Sequence, residues 1–239
     1  MSHQAVADSQ QALTYPADAG ADTFLLAVRG TPVSASLEEA RKIHNATAGA
    51  PQSIAGARSL GDLSHNVYTP YGESASPELL FIDFWNSLSG LGEFFQNKMV
   101  QEAASQLFAS RDGVVWARAK DFGAFHLTVP SGPAPQGVGI IRARVTSLED
   151  AAKAFRAYSA ATINASRLHG IVSHSQYTRV PTPGEDAPLE VFGVDVWLDA
   201  DRMSSYYELG LGFENFSAAF AGPPETSVWQ SAPGQWAEW

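Results

Sequence analysis

The chain contains no cysteine. That excludes disulfides, thiolate nucleophiles, Cys-ligated zinc and iron–sulfur clusters, while leaving the compartment nearly open. Charge is also sparse: 17% of residues are charged, against roughly 25% in soluble globular proteins. Basic residues are the scarcer sign, 15 against 25 acidic ones, for a net charge of −10. No run of Lys or Arg occurs, so neither nucleic acid nor an anionic membrane is expected as a partner. No apolar stretch approaches the ~18–20 residues of a membrane span. Met1 to Gly20 lacks the basic end and apolar stretch of a secretory signal, so a cytoplasmic location is the default expectation. What is present is apolar material, 45% of 239 residues, enough for one large domain or two of roughly 100–120.

An internal duplication organises that material. Ser36-Leu37-Glu38-Glu39-Ala40 recurs as Ser147-Leu148-Glu149-Asp150-Ala151. Ser64-His65, followed by Tyr68-Thr69, recurs as Ser173-His174, followed by Tyr177-Thr178. Ile82-Asp83-Phe84-Trp85 matches Val194-Asp195-Val196-Trp197, and Val115-Trp116 matches Val228-Trp229. The matches keep one order and nearly one spacing, as two copies of one unit do. Between them, Pro130 to Gly137 has the composition of a linker. The expected organisation is a flexible arm over 1–21, a first repeat over 22–129, a linker over 130–137 and a second repeat over 138–239.

Each copy reads as the same series of elements. Thr23–Arg29 and Gly139–Val145 are short apolar runs, hence strands. Ser36 and Ser147 look like helix N-caps with an acid three residues on, the pattern of a capping box. Leu37, Ala40, Ile43 and His44 then follow helical spacing, as do Leu148, Ala151, Ala152 and Phe155. Strands are expected around Leu63–Thr69 and Ile171–Val180, and again at Leu79–Trp85 and Leu189–Leu198. The apolar stripe Leu88, Leu91, Phe95, Met99, Ala103, Leu107 predicts one long helix. Its counterpart from Met203 to Phe220 is interrupted by Gly210 and Gly212, which predicts a shorter or bent helix. Last strands are expected at Val114–Ala119 and Ser227–Trp229. The order is β-α-β-β-α-β twice, so the fold class is α+β: two tandem ferredoxin-like repeats in one chain. The third strand of the first copy scarcely alternates apolar and polar residues, which suggests a sheet covered on both faces.

Phe84-Trp85-Asn86-Ser87 leading into Gly92-Glu93-Phe94-Phe95 resembles the antibiotic-biosynthesis-monooxygenase-like domains of the dimeric α+β barrel superfamily. Val196-Trp197-Leu198-Asp199 leading into Ser204-Ser205-Tyr206-Tyr207 is similar. The resemblance implies an α+β barrel with a small-molecule cavity between sheet and helices. A tandem repeat would supply both halves of that barrel from one chain, as a monomer or a homodimer. Many such domains carry a His in the second helix, where this chain has Phe94, Phe95, Tyr206 and Tyr207. The haem-degrading branch uses that His as its iron ligand, so the expectation is no cofactor, with haem disfavoured. No Gly-x-Gly-x-x-Gly opens a helix after a strand, so nothing points to NAD or flavin in a Rossmann site.

Histidine and aspartate carry the candidate chemistry. The second and third strands of a ferredoxin-like sheet are antiparallel neighbours. If Tyr68 faces Leu80, the same register sets His65 opposite Asp83; if Tyr177 faces Phe192, it sets His174 opposite Asp195. A carboxylate beside imidazole fixes its tautomer and stabilises the imidazolium, which a general base needs. The same pairing also serves simply to satisfy two buried polar groups. His44 breaks the duplication, because its twin is Phe155; a titratable group there needs a partner, and Asn45 and His65 are candidates. That asymmetry favours the first copy as the working half.

Trp85 shares a strand face with Asp83, as Trp197 does with Asp195, and can wall a planar substrate. Phe84, Asn66 and Tyr68 are further substrate-binding candidates, the latter two on the opposite strand face from His65. His174, Asp195 and Trp197 are the corresponding second-half candidates. His126 and His169 read as structural or solvated, and no His-x-x-x-His spacing supports a metal, so none is expected. The expected function is an enzyme acting on a small aromatic or polyketide-like molecule. By resemblance, the reaction is cofactor-independent monooxygenation with His65 or His44 as general base. A lyase, isomerase or cyclase with the same base, or a non-enzymatic binder of a small molecule or haem, stands as the alternative.

Overall fold

A computed structural model describes residues 23–74, 76–127, 136–186 and 188–239, apart from the side chains of residues 214 and 215. The expected arm over 1–21 and most of the expected linker over 130–137 lie outside the described residues. The chain is mixed α+β and divides into two compact units. The first runs to Ala117 and adds Val180–Asp186 and Ala232–Trp239; the second holds Arg118–Arg179 and Ala187–Ser231.

In the first unit, β1 (Phe24–Pro32) leads to helices α1 (Leu37–Ala46) and α2 (Pro51–Ser59). Strands β2 (Asp62–Pro70) and β3 (Leu79–Trp85) follow, then helices α3 (Leu88–Gln96) and α4 (Lys98–Leu107) and strand β4 (Phe108–Arg118). The strands lie in the order β4-β1-β3-β2, with antiparallel neighbours. Ser36 caps α1, its hydroxyl accepting the Glu39 amide at 3.4 Å, which satisfies one of the unpaired donors of the first turn. The expected long second helix is two, because Asn97 leaves α3 in an extended conformation and caps α4 by accepting the Met99 amide. Strand β3 is buried at every position except the half-buried Phe84, in keeping with its unbroken apolar sequence. The core gathers Leu26, Val67, Leu79, Phe81, Trp85, Leu91 and Phe108, with Trp236 from the C-terminal segment.

In the second unit, the two-residue β5 (Phe125–His126) precedes β6 (Gly137–Arg144), helix α5 (Leu148–Leu168), β7 (Ile171–Arg179) and β8 (Glu190–Trp197). Helices α6 (Ala200–Tyr207) and α7 (Phe213–Ser217) and strand β9 (Glu225–Ser231) complete it. The strand order β9-β6-β8-β7 repeats that of the first unit, with β5 added at the edge. The break between α6 and α7 falls where Gly210 and Gly212 adopt positive φ, as their positions in the sequence led one to expect. Where the first unit turns at Thr47 to Ala50 between two short helices, α5 runs unbroken for 21 residues.

Candidate active site

The register of β2 against β3 sets Tyr68 opposite Leu80 and His65 opposite Asp83. In the second unit Tyr177 faces Phe192 and His174 faces Asp195. Both pairings are those expected from the sequence. His65 Nδ1 lies 2.6 Å from Asp83 Oδ1, and its other nitrogen, Nε2, lies 2.9 Å from His44 Nε2. His44 sits on the sheet-facing side of α1, wholly buried, and its Nδ1 lies 3.0 Å from Asn45 Oδ1. The partners suggested for His44, Asn45 and His65, are therefore the ones it has.

The hydrogen bonds fix where the protons are. Asn45 donates through Nδ2 to the Gln235 carbonyl at 2.8 Å and accepts the Ala237 amide on Oδ1 at 2.9 Å, so its amide has one orientation. His44 must then donate from Nδ1 to that oxygen, which leaves its Nε2 as an acceptor. His65 must donate from Nε2 to His44, and a further proton is shared between His65 Nδ1 and Asp83. Removing it would set lone pairs against each other somewhere along the line. The electrostatics of the pair agree with this arrangement. Burial, then the charge of His65, lowers the pKa of His44 to about 4, keeping it neutral. Burial alone would lower His65 too, but Asp83 beside it, with Asp62 and Glu238 farther off, raises it.

Aromatic rings enclose the pair. Phe81 meets both imidazoles edge-on, Trp236 leans against His44, and the Trp239 indole stacks on His65 with ring centroids 4.6 Å apart. The backbones of His65 and Trp239 exchange two hydrogen bonds, which hold the C-terminal segment along β2. Beside them opens a cleft of about 1380 Å³, lined among others by His65, Asp83, Phe81, Trp85 and Trp239.

A residue outside the sequence-based candidates, Asp62, also lines this cleft. In a regular strand it would point away from His65, three residues on. The register shifts between Asp62 and Ser64, a bulge whose extra residue brings Asp62 back to the buried side while Leu63 is exposed. Its Oδ2 accepts the Trp239 indole N–H at 2.8 Å, whereas Oδ1 is buried with no partner. Burial, then the neighbouring Asp83 charge, pushes its pKa up to about 7. One signal was available in the sequence: the twin position holds Ile171, the kind of polar-for-apolar exchange that singled out His44. Trp236 and Trp239 were missed because they are remote in sequence from everything they touch.

Trp85 is buried in the core against Phe94 and Phe95, and its indole N–H has no partner. Asn66, Tyr68 and Phe84 are not brought to the cleft. Asn66 makes a long bond, 3.5 Å, to the Ile82 carbonyl; Tyr68 is buried with its phenol pKa raised by burial. Both nitrogens of His65 are bonded within the network.

The second unit keeps the His–Asp pair and closes it. His174 Nδ1 is 2.5 Å from Asp195 Oδ1, and its Nε2 meets Gln176 Nε2 at 2.6 Å, so both ring nitrogens are bonded. The second oxygen of Asp195 accepts the Tyr207 hydroxyl at 2.9 Å, and Trp197 donates its indole N–H to that same hydroxyl at 3.3 Å. Tyr207 fits because residue 139 is glycine; a Cβ there would lie 2.0 Å from the phenol oxygen. His126 is exposed in β5, and His169 ends α5 with Nδ1 near the Ala165 carbonyl. Among the described residues, no group of three His, Asp or Glu side chains could hold a metal, and no helix is long and apolar enough to cross a membrane.

No family model matches the chain, and no curated protein matches its sequence. Solved structures do. An anthrone oxidase-like protein superposes with a TM-score of 0.61 at 13% identity, over 91% of this chain and 94% of that one. A provisionally named monooxygenase from Fusobacterium nucleatum gives 0.55 at 11% identity, over 88% and 93%. A chlorite dismutase mutant from Candidatus Nitrospira defluvii gives 0.53 at 12% identity, over 97% and 96%. This chain therefore shares the α+β fold of these proteins.

Proposed function

We propose that the first unit is the active site of a cofactor-independent monooxygenase acting on a small, electron-rich aromatic or polyketide-like molecule. The observation that carries this reading is the buried line Asp83–His65–His44–Asn45 beside an aromatic-walled cleft. Such a line stores a proton at a fixed place beside aromatic walls, which suits proton removal from a phenol or an activated ring carbon. The His65–Asp83 pair is the acid–base centre; His44 and Asn45 hold His65 in orientation. Once deprotonated, the substrate is electron-rich enough to reduce dioxygen directly. For a ring CH₂, the carbon gains an O–O group, which loses water to leave a carbonyl; dioxygen is the oxidant, and the proton taken at the start leaves with the water. The names of two structural neighbours, anthrone oxidase-like and monooxygenase, support this chemistry, as does the aromatic lining.

The matched strand orders and the His–Asp pair in each unit also support reading the chain as two tandem ferredoxin-like repeats. A small molecule is the proposed partner, and no cofactor enters the scheme. Oxygen uptake on a panel of anthrones, hydroquinones and naphthols tests the reading. Metal-stripped protein should consume oxygen with at least one class, and His65→Ala should slow it by about 10²-fold or more, the usual worth of an acid–base group. Product formation without oxygen uptake would replace monooxygenation by an isomerase, lyase or cyclase reaction.

A further inference from the structure

Two buried polar atoms at the cleft lack partners, and they are complementary. Asp62 Oδ1 is an acceptor and Trp85 Nε1–H a donor. Their residues face each other across β2 and β3, and both line the cleft. An unmade hydrogen bond at a buried group costs about 1–3 kcal/mol, so such atoms persist where something else completes them. A hydroxyl completes both, since it donates one hydrogen and accepts another. Asp62 is itself 5% exposed, and the bulge at Leu63 aims it inward.

We propose that Asp62 and Trp85 form a binding site for the phenolic or enolic hydroxyl of the substrate, in which Asp62 Oδ1 takes the hydroxyl proton and Trp85 Nε1–H holds the oxygen. This rests on the acid–base reading of the cleft and names the atom where the proton first lands. The O–H bond breaks, its electron pair stays on the substrate oxygen, and the carboxylate becomes a carboxyl. His65 cannot take that role directly, because Asp83 and His44 occupy its two nitrogens. Both orphan atoms are buried in residues that line the cleft, so entry of the hydroxyl requires Trp239 to shift. Trp239 is only partly buried and covers both Asp62 and His65.

The charged groups that face Asp62 are Asp83 on β3 and His65 on β2; the Trp239 N–H donates to its Oδ2, and the Ser64 amide dipole lies near. The first opposes its ionisation and the others favour it. Burial and Asp83 prevail and leave it titrating near neutrality, where a carboxyl can both accept and return a proton.

The test is the binding of 2-naphthol, followed by its fluorescence, to the full chain between about pH 6 and 8, a range in which the free naphthol stays neutral. Wild type should bind about tenfold more weakly at the acid end, as Asp62 takes a proton from solvent. Asp62→Asn should remove that pH dependence, and Trp85→Phe should weaken binding several-fold at every pH while keeping it. His65→Gln should keep it as well. The proposal is overturned if Asp62→Asn retains the pH dependence, if His65→Gln alone removes it, or if naphthol does not bind. Failure of the monooxygenase reading looks different: pH-dependent binding through Asp62 with no oxygen consumed. Oxygen uptake that persists unchanged in Asp62→Asn would keep the monooxygenase and discard the hydroxyl site.

Discussion

His65 and His174 occupy the same place in the two units, each across from an aspartate, yet of the two only His65 lines the cleft beside Trp239. His174 is closed on every side: Gln176 meets its far nitrogen, Tyr207 takes the second carboxylate oxygen, and Phe125 and Tyr158 flank the ring. His65 instead meets a second imidazole, which obliges it to donate from one nitrogen and share a proton at the other. Around it the sealing residues are exchanged. Phe95 stands where Tyr207 does, Leu26 where Gly139 does, His44 where Phe155 does and Asp62 where Ile171 does. A His–Asp pair is thus a property of the fold, and chemistry depends on what closes it. Trp236 beside His44 and Phe122 beside Phe155 show the same division, with aromatic packing against the helix in both units and a titratable group in only one.

The sharpest way to break this contrast is to close the first unit by the means the second uses. In Leu26→Gly/Phe95→Tyr, the glycine makes room for a phenol beside Asp83. Its hydroxyl should bond the free carboxylate oxygen, and turnover should fall by about 10²-fold or more while the thermal transition remains cooperative. Turnover within about twofold of wild type would mean that the open face of Asp83 has no bearing on catalysis.

A smaller effect lies in the pH dependence of stability. His44 has a folded pKa of about 4, below its usual 6.5, so the unfolded chain binds the proton first as pH falls. Stability from this group is therefore lost as pH drops from about 6.5 to about 4, by at most about 1.4 kcal/mol per pH unit. Asp62 acts in the opposite sense. With its pKa pushed up to about 7, the folded state keeps a proton that the unfolded chain has released, so stability falls as pH rises through roughly 4 to 7. His65, raised by Asp83 against its burial, adds stability below its unfolded value that is lost on going alkaline. Urea midpoints across about pH 4 to 7.5 should show Asp62→Asn gaining stability with pH more steeply than wild type. His44→Phe, which adopts the residue of the second unit, should lose stability with pH more steeply. Parallel curves for all three would contradict the assignment of these groups.

Much of the frame could be read from the chain. The capping serines and the Gly210–Gly212 break rest on contacts between near neighbours in sequence, which local pattern reports; the register of the two His–Asp pairs could only be assumed, because a loop separates the strands. The site is less local. Asp62 faces the cleft only because of a bulge, which strict alternation hides. Trp236 and Trp239 reach His44 and His65 across most of the chain, and no spacing rule links them. The Tyr207–Gly139 fit depends on a void left by a missing Cβ, which no hydrophobic pattern records. Asn66, Tyr68 and Phe84 were drawn in by their proximity in sequence to His65 and Asp83, and they do not line the cleft.

The most direct measurement compares two single variants, His65→Gln and His174→Gln, in one oxygen-uptake assay with the best substrate of the panel. The first should lose about 10²-fold or more in turnover, and the second should stay within about threefold of wild type, with any cost appearing in thermal stability instead. Loss of turnover in His174→Gln with His65→Gln unimpaired would move the active site to the second unit and contradict the reading given to both.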